Sequence, residues 1–326
     1  MVSPTAKTKM LCAAGAALLA ALAAASLFTG KYPLTLAGLL AGEPMQLQVF
    51  WSLRFSRTVV GAAGGFALGA AGFVYQTVFR NPLASPDVIG VSSGASAGAA
   101  AGILFLQGAA GVTLAAFGGA LAAVGLALGL SALDRSGRHS TIVLAGIAVH
   151  ALAQTVLMCL KLTADPEREL ASIEYWIMGS LNGVTSDAMG GSLALCAVSV
   201  GVLFLLHRQI LLLAAEEGEA RMLGVQVGRL RLAVLLAATL AVACVVSLTG
   251  LISFVGLLAP HAARMLTGRS SLGTMLLGGL LGGVLLTGAD ILARSAAAVE
   301  LPVSIFTSLL GAPFLIFLIL RGRVRA

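Results

Sequence analysis

Ten runs of mostly apolar residues, each near the length of one helical bilayer crossing, leave this chain few folds to choose from. They cover 10–28, 58–79, 88–106, 111–133, 141–162, 190–206, 232–248, 251–266, 272–292 and 302–320. A helix rises about 1.5 Å per residue, so roughly twenty residues match a hydrocarbon layer about 30 Å thick. Inside that layer backbone amides find no water, and a run of this kind must bond to itself as a helix. Charged residues make up only 10% of the chain and hydrophobic ones 59%, against about 25% charged in a soluble domain. The expected fold class is therefore all-α, a polytopic membrane protein of about ten transmembrane helices. An even number of crossings places both termini on one side.

The basic residues choose that side. Lys31, Arg54, Arg57, Lys161, Arg168 and Arg294 fall in segments of one face, and the other fourteen of the 20 lysines and arginines fall opposite. Basic residues accumulate in cytoplasmic loops, so the termini are expected in the cytoplasm and the protein in the cell inner (plasma) membrane. The net charge of +7 is dispersed between spans rather than gathered on a soluble face, so nucleic acid is not an expected partner; membrane lipid is. The first run has lysines ahead of an alanine-rich core, like a signal peptide, but it is longer than a usual signal core and is expected to stay as a span.

Glycines recur every four residues at Gly61, Gly65 and Gly69, at Gly94, Gly98 and Gly102, and at Gly278/Gly282 with Gly279/Gly283. Small residues at this spacing let backbones approach closely, which drives helix association in lipid. The four cysteines have no metal-ligand spacing and are expected as buried free thiols. No phosphate-binding loop, zinc motif or nucleophile elbow is present, and no carboxylate relay of the kind a proton pump needs. Asp290 and Arg294 are one helical turn apart and are expected as a self-neutralising pair. His150 and Gln154 are spaced likewise and read first as a satisfied interior pair, with a polar face toward a pore as the alternative. Neither an enzymatic centre, a metal site nor a directly bound cofactor is expected.

The segment 207–231 is a long polar interruption in this apolar chain. Glu216, Glu217 and Glu219 precede Ala220-Arg221-Met222-Leu223-Gly224. Acids in a first turn, a basic residue near the end and a closing glycine predict a short cytoplasmic helix. Long ordered connections of this sort usually have a purpose.

Several ordered patterns now point to one family. Arg54-Phe55-Ser56-Arg57 precedes the second run, and Gln76-Thr77-Val78-Phe79-Arg80-Asn81-Pro82-Leu83-Ala84-Ser85-Pro86 follows its core. Trp176-Ile177-Met178-Gly179-Ser180-Leu181 lies outside. Gly250-Leu251-Ile252-Ser253-Phe254-Val255-Gly256-Leu257-Leu258-Ala259-Pro260-His261, with Arg264 beyond, forms the eighth run. Ala289-Asp290-Ile291-Leu292-Ala293-Arg294, Glu300-Leu301-Pro302 and Gly311-Ala312-Pro313-Phe314 follow. From about residue 50 to 320 the chain resembles the iron-chelate (siderophore/haem)/vitamin B12 permease family, the membrane subunits of type II ABC importers.

The resemblance implies a vitamin B12 importer-like permease fold, with residues 1–326 as a single transmembrane permease domain. It implies a second permease subunit (an identical chain or a paralogue), two ATP-binding subunits that use ATP and magnesium, and a substrate-binding protein outside. Glu217, Ala220, Arg221, Leu223 and Gly224 match the family's ATPase-coupling motif; Glu216 stands where the family has glycine. Arg54, Arg57 and Arg294 match its arginines for docking the binding protein, as exposed guanidiniums able to take carboxylates, with interfacial anchoring as the equal alternative; Ser56 replaces the usual proline. Asn81 and Leu83 match one cytoplasmic gate segment, and His139, Ser140 and Thr141 occupy the place of the second. Their residue types equally suit turns and helix caps. Pro260 is expected to break the eighth helix, and Ser304 stands where glycine is common. The function implied is ATP-driven import of a metal chelate by alternating access, with ferric siderophore ahead of haem and cobalamin. The competing expectation is an ion-coupled secondary transporter, for which Asp290 is the candidate acid.

Overall fold

The structure is a computed structural model that describes residues 4–106, 108–133, 139–184, 186–214, 222, 226–297 and 299–320. Helices occupy all ten expected crossings, and no strand occurs among the described residues. In chain order the helices are α1 (Pro4–Phe28), α2 (Leu36–Leu40), α3 (Pro44–Val49), α4 (Ser56–Val78), α5 (Val91–Phe105), α6 (Gly108–Leu133), α7 (His139–Thr163) and α8 (Glu169–Met178). Then come α9 (Ser186–Leu205), α10 (His207–Leu212), α11 (Val227–Thr249), α12 (Val255–Thr267), α13 (Leu272–Ser295) and α14 (Val303–Leu320). A π-helical turn, Phe50–Phe55, joins α3 to α4. Six helices (α1, the α3–α4 unit, α6, α7, α11 and α13) are long and apolar enough to cross a membrane by length and composition.

Helix α4 is the axis of the bundle. It is buried on nearly every side, as a helix that is apolar all round must be. Its glycines make this possible. A Cβ built on Gly65 would lie 2.4 Å from the Gly282 carbonyl oxygen, and one on Gly69 would lie 2.2 Å from that of Gly278. The α4–α13 contact is therefore backbone against backbone. Helices α5 and α6 meet the same way, with a Gly98 Cβ placed 2.2 Å from the Ala115 oxygen. Gly61 is looser, its Cβ meeting only ordinary contacts at 3.4 Å. Around this core the outer helices expose large apolar side chains such as Leu114, Leu133, Leu144, Leu152, Leu162 and Leu309. That pattern suits lipid or an apolar partner, and would be costly in water.

Three local expectations need correction. Helix α12 runs unbroken through Pro260. Proline cannot donate to the carbonyl of Gly256, and Gly72 of α4 fills that gap: a Cβ on Gly72 would sit 1.7 Å from the Gly256 oxygen and 3.0 Å from Pro260 Cγ. The next carbonyl, of Leu257, accepts from Gln76 Nε2 at 3.0 Å. The helix survives its proline because its neighbour covers the defect. His150 is exposed on α7 rather than paired in the interior. Of the cysteines, all free, Cys196 and Cys244 are buried, but Cys12 is half-buried and Cys159 exposed, because α1 and α7 lie on the flank of the bundle.

Candidate functional site

At the end of the bundle where α4 begins, four elements converge on a charged cluster. Arg57 Nε donates to Asp290 Oδ1 at 2.7 Å, and Arg57 Nη1 to Glu300 Oε2 at 2.8 Å. Arg294 Nη2 lies 2.9 Å from Asp290 Oδ2, so the expected pair exists but is shared with α4. Helix α1 enters through its C-terminal carbonyls, which no intrahelical amide can satisfy. Arg294 Nη1 donates to Ser26 O and Thr29 O at 3.1 and 3.0 Å, and Arg294 Nη2 to Ser26 Oγ at 2.6 Å. Arg54 Nη1 donates to the same Thr29 carbonyl and Nη2 to Tyr32 O. Cationic groups at a helix C-terminus also complement its dipole.

These are the three arginines expected as exposed docking groups, and the structure brings them together but buries them. Arg54 and Arg57 retain 7% of their accessible surface and Arg294 retains 3%. The physical reason is the supply of internal acceptors: two acids and the end of α1 replace water around the guanidiniums.

At mid-depth two non-helical stretches, 79–90 and 250–254, approach each other. Leu68 lies midway along α4, about 17 Å below Arg57 at 1.5 Å per residue. A Cβ on Gly256, in the first turn of α12, would lie 3.3 Å from the Leu68 oxygen and 3.5 Å from Pro86 Cδ. The chain leaving α4 therefore climbs back into the layer, forms a 3-10 turn at Pro86–Ile89, and starts α5 near the middle. Helix α7 braces that turn, since a Cβ on Gly146 would be 2.1 Å from the Val88 oxygen. With 15 and 13 residues, about 22 and 20 Å long, α5 and α12 fall short of a full crossing. Between them is a cavity of about 260 Å³ lined by Leu68, Asp87, Ser92, Val246, Ser253 and Phe254, among others. Phe254 holds a left-handed backbone at φ +66°, a conformation that costs a bulky residue about 1–3 kcal/mol. Its ring packs on α14, where a Cβ on Gly311 would be 2.4 Å from a Phe254 ring carbon. Ser304, in place of the family's glycine, donates to Leu251 O at 2.6 Å and fastens the same stretch.

At the opposite end, Arg80 closes α4 in a left-handed conformation, φ +48°. Arg80 N bonds Thr77 O and Asn81 N bonds Gln76 O, both at 3.2 Å, the paired closure usually built on glycine. The arginine side chain reaches across instead, Nε to the Leu213 carbonyl at 3.4 Å. The expected gate residues Asn81 and Leu83 are exposed here, with Asn81 Oδ1 accepting from Leu83 N at 2.9 Å. Thr141 is half-buried in the first turn of α7; the side chains of His139 and Ser140 lie outside the described residues. So do Glu217, Ala220, Arg221, Leu223 and Gly224. Arg264 clamps α12 to α4, donating to Phe73 O at 3.1 Å and Thr77 Oγ1 at 2.7 Å over the Phe73 ring. Sequence reasoning missed that clamp's target, because Thr77 and Phe73 look like ordinary span residues.

Comparison with known proteins agrees with this geometry. The model of the FecCD transport family matches residues 18–321. The cobalamin import system permease protein BtuC of Halobacterium salinarum is 38% identical over 287 residues, covering 87% of this chain and 77% of that one. A probable iron chelatin transport system permease protein of Helicobacter pylori is 33% identical over 279 residues, covering 84% and 83%. A solved inward-facing ABC transporter of metal-chelate type superposes with a TM-score of 0.84 at 31% identity, covering 96% of this chain and 99% of that one.

Proposed function

Because the chain belongs to the FecCD transport family, a lineage of ABC permease subunits that are not themselves enzymes, we propose that it carries a metal chelate inward by alternating access. It is a multi-pass membrane protein, and ATP is hydrolysed by a separate subunit. The cargo we assign is a ferric siderophore, with haem and cobalamin as the next classes. The observation that carries the reading is the meeting of two short helices and the stretches that lead into them at mid-depth, beside a cavity, in a bundle whose α4–α13 contact is closed backbone to backbone. A passage needs such a place, and tightly packed full-length helices do not supply one.

The proposed assembly has two permease chains, two ATP-binding subunits and a substrate-binding protein, in the inner membrane with both termini cytoplasmic. The stretch 207–231 is its coupling segment, with Glu217, Ala220, Arg221, Leu223 and Gly224 in contact with the ATPase. Arg80 would tie the first gate segment, Asn81 and Leu83, to the start of that segment through Leu213; His139, Ser140 and Thr141 form the second gate. For Arg54, Arg57 and Arg294 the proposal takes a competitive form. Carboxylates of a docking protein displace the half-exposed Glu300 from Arg57 while Asp290 stays. Ion coupling through Asp290 finds no support, since two arginines already hold it. The test is chelate uptake by the purified assembly in liposomes, with ATP against an ion gradient alone.

A further inference from the structure

Asp87 is the feature of this cavity that the fold does not explain. It is exposed, it sits next to Pro86 at mid-height of α4, and among the described residues no cation pairs with it. Its carboxylate accepts only from hydroxyls: Ser92 Oγ on Oδ1, and Ser85 Oγ on Oδ2 at 3.4 Å. An ionisable side chain at this depth does not face hydrocarbon; it faces protein or a water-filled passage. Here it lines the cavity, together with Val242, Val246, Ile252 and Ser253. Helix α7 passes beside the same turn: the His150 backbone nitrogen is 3.6 Å from a Cβ built on Gly90. Of the arginines described above, Arg57 and Arg294 lie toward one end of α4, and Arg80 and Arg264 toward the other.

We propose that Asp87 is a cargo-contact residue that selects chelates presenting an ammonium or N–H and O–H donors over chelates with an anionic surface. The inference rests on the importer reading and narrows it. An apolar wall accepts the hydrocarbon part of a chelate, while the carboxylate, held in orientation by Ser85 and Ser92, takes a cationic edge. A charge-assisted bond of this kind is worth about a tenfold preference. A polyanionic chelate would bring like charge up to the same carboxylate, which disfavours it.

The test uses the complete assembly in liposomes and two ferric trihydroxamates that differ only in a free primary ammonium or its acetylated form. With one binding protein throughout, ATP-driven uptake of each is measured for the native chain, Asp87→Asn and Asp87→Glu. The expected result is that the ammonium-to-acetyl uptake ratio falls about tenfold in Asp87→Asn and is kept in Asp87→Glu. An unchanged ratio in Asp87→Asn, with ATP-driven uptake intact, overturns the inference and leaves the importer reading standing. Absence of ATP-driven uptake of any chelate overturns both. Should Asp87→Asn not assemble, Asp87→Cys in a chain with the four native cysteines replaced by alanine gives a second measurement. Labelling by a membrane-impermeant thiol reagent, with or without ATP, supports a water-facing position; no labelling in either state overturns it.

Discussion

Arg57 Nε and Asp290 Oδ1 lie 2.7 Å apart although 233 residues separate them in the chain. Both side chains are almost wholly buried, and Arg294 closes the other side of the same carboxylate. This contact ties the start of α4 to the last turns of α13, whose middles already touch through glycines. Removing one partner of a buried pair strands the other, at about 3–5 kcal/mol. Asp290→Asn, which leaves two guanidiniums facing a neutral amide, should lower the apparent melting midpoint of the purified protein strongly. Glu300→Gln should cost about 1 kcal/mol or less, since that carboxylate keeps contact with water. Equal effects of the two substitutions would refute the ranking.

The glycine contacts give a second expectation with an internal control. Gly69→Ala places a methyl carbon 2.2 Å from the Gly278 oxygen, and α4 and α13 must move apart. The folded, monodisperse fraction in mild detergent should fall several-fold. Gly118→Ala and Gly125→Ala in α6, where a Cβ meets nothing within 4 Å, should be neutral or slightly stabilising, as alanine is the better helix former. Size-exclusion profiles of the three variants decide it.

Most of the architecture was legible because lipid enforces it. Each of the ten apolar runs holds a helix, six of them long enough to cross, and the glycine repeats at 65/69, 94/98 and 278/282 became the close contacts they predict. Depth was not legible. Residues 79–90 read as a turn at the membrane surface, since Asn81-Pro82 and Ser85-Pro86 are turn formers, and nothing local says that the chain then climbs back to the level of Leu68. Asp87 was passed over for that reason. The arginine cluster was found as residues but not as a buried network, because its acceptors are backbone carbonyls at the end of α1 and Glu300, which no spacing rule links to Arg54 or Arg57. Pro260 misled in the opposite sense: the glycine that accommodates it, Gly72, lies on another helix.

Arg80 separates stability from function. Glycine at this left-handed position relieves strain worth about 1 kcal/mol but removes the contact with Leu213 O. Arg80→Gly should therefore leave the melting midpoint unchanged or raise it, while lowering the chelate transported per ATP hydrolysed by several-fold. A variant that is both more stable and fully coupled would show that the Arg80–Leu213 contact has no part in transmission.

Substitutions in the coupling segment should behave differently again. Glu217→Ala and Leu223→Ala are expected to leave the bundle folded and ATP hydrolysis measurable while uptake falls about tenfold or more. Coupling ratios measured side by side test this, and native ratios in both variants would remove these residues from the ATPase contact.

The central claim is that this chain supplies the passage while ATP hydrolysis in another subunit drives it. The most direct measurement compares chelate accumulation in liposomes holding the chain with its ATP-binding subunits against liposomes holding the chain alone under an ion gradient. Accumulation with ATP in the first and none in the second is the predicted result. Accumulation against a gradient by the chain alone would contradict the account.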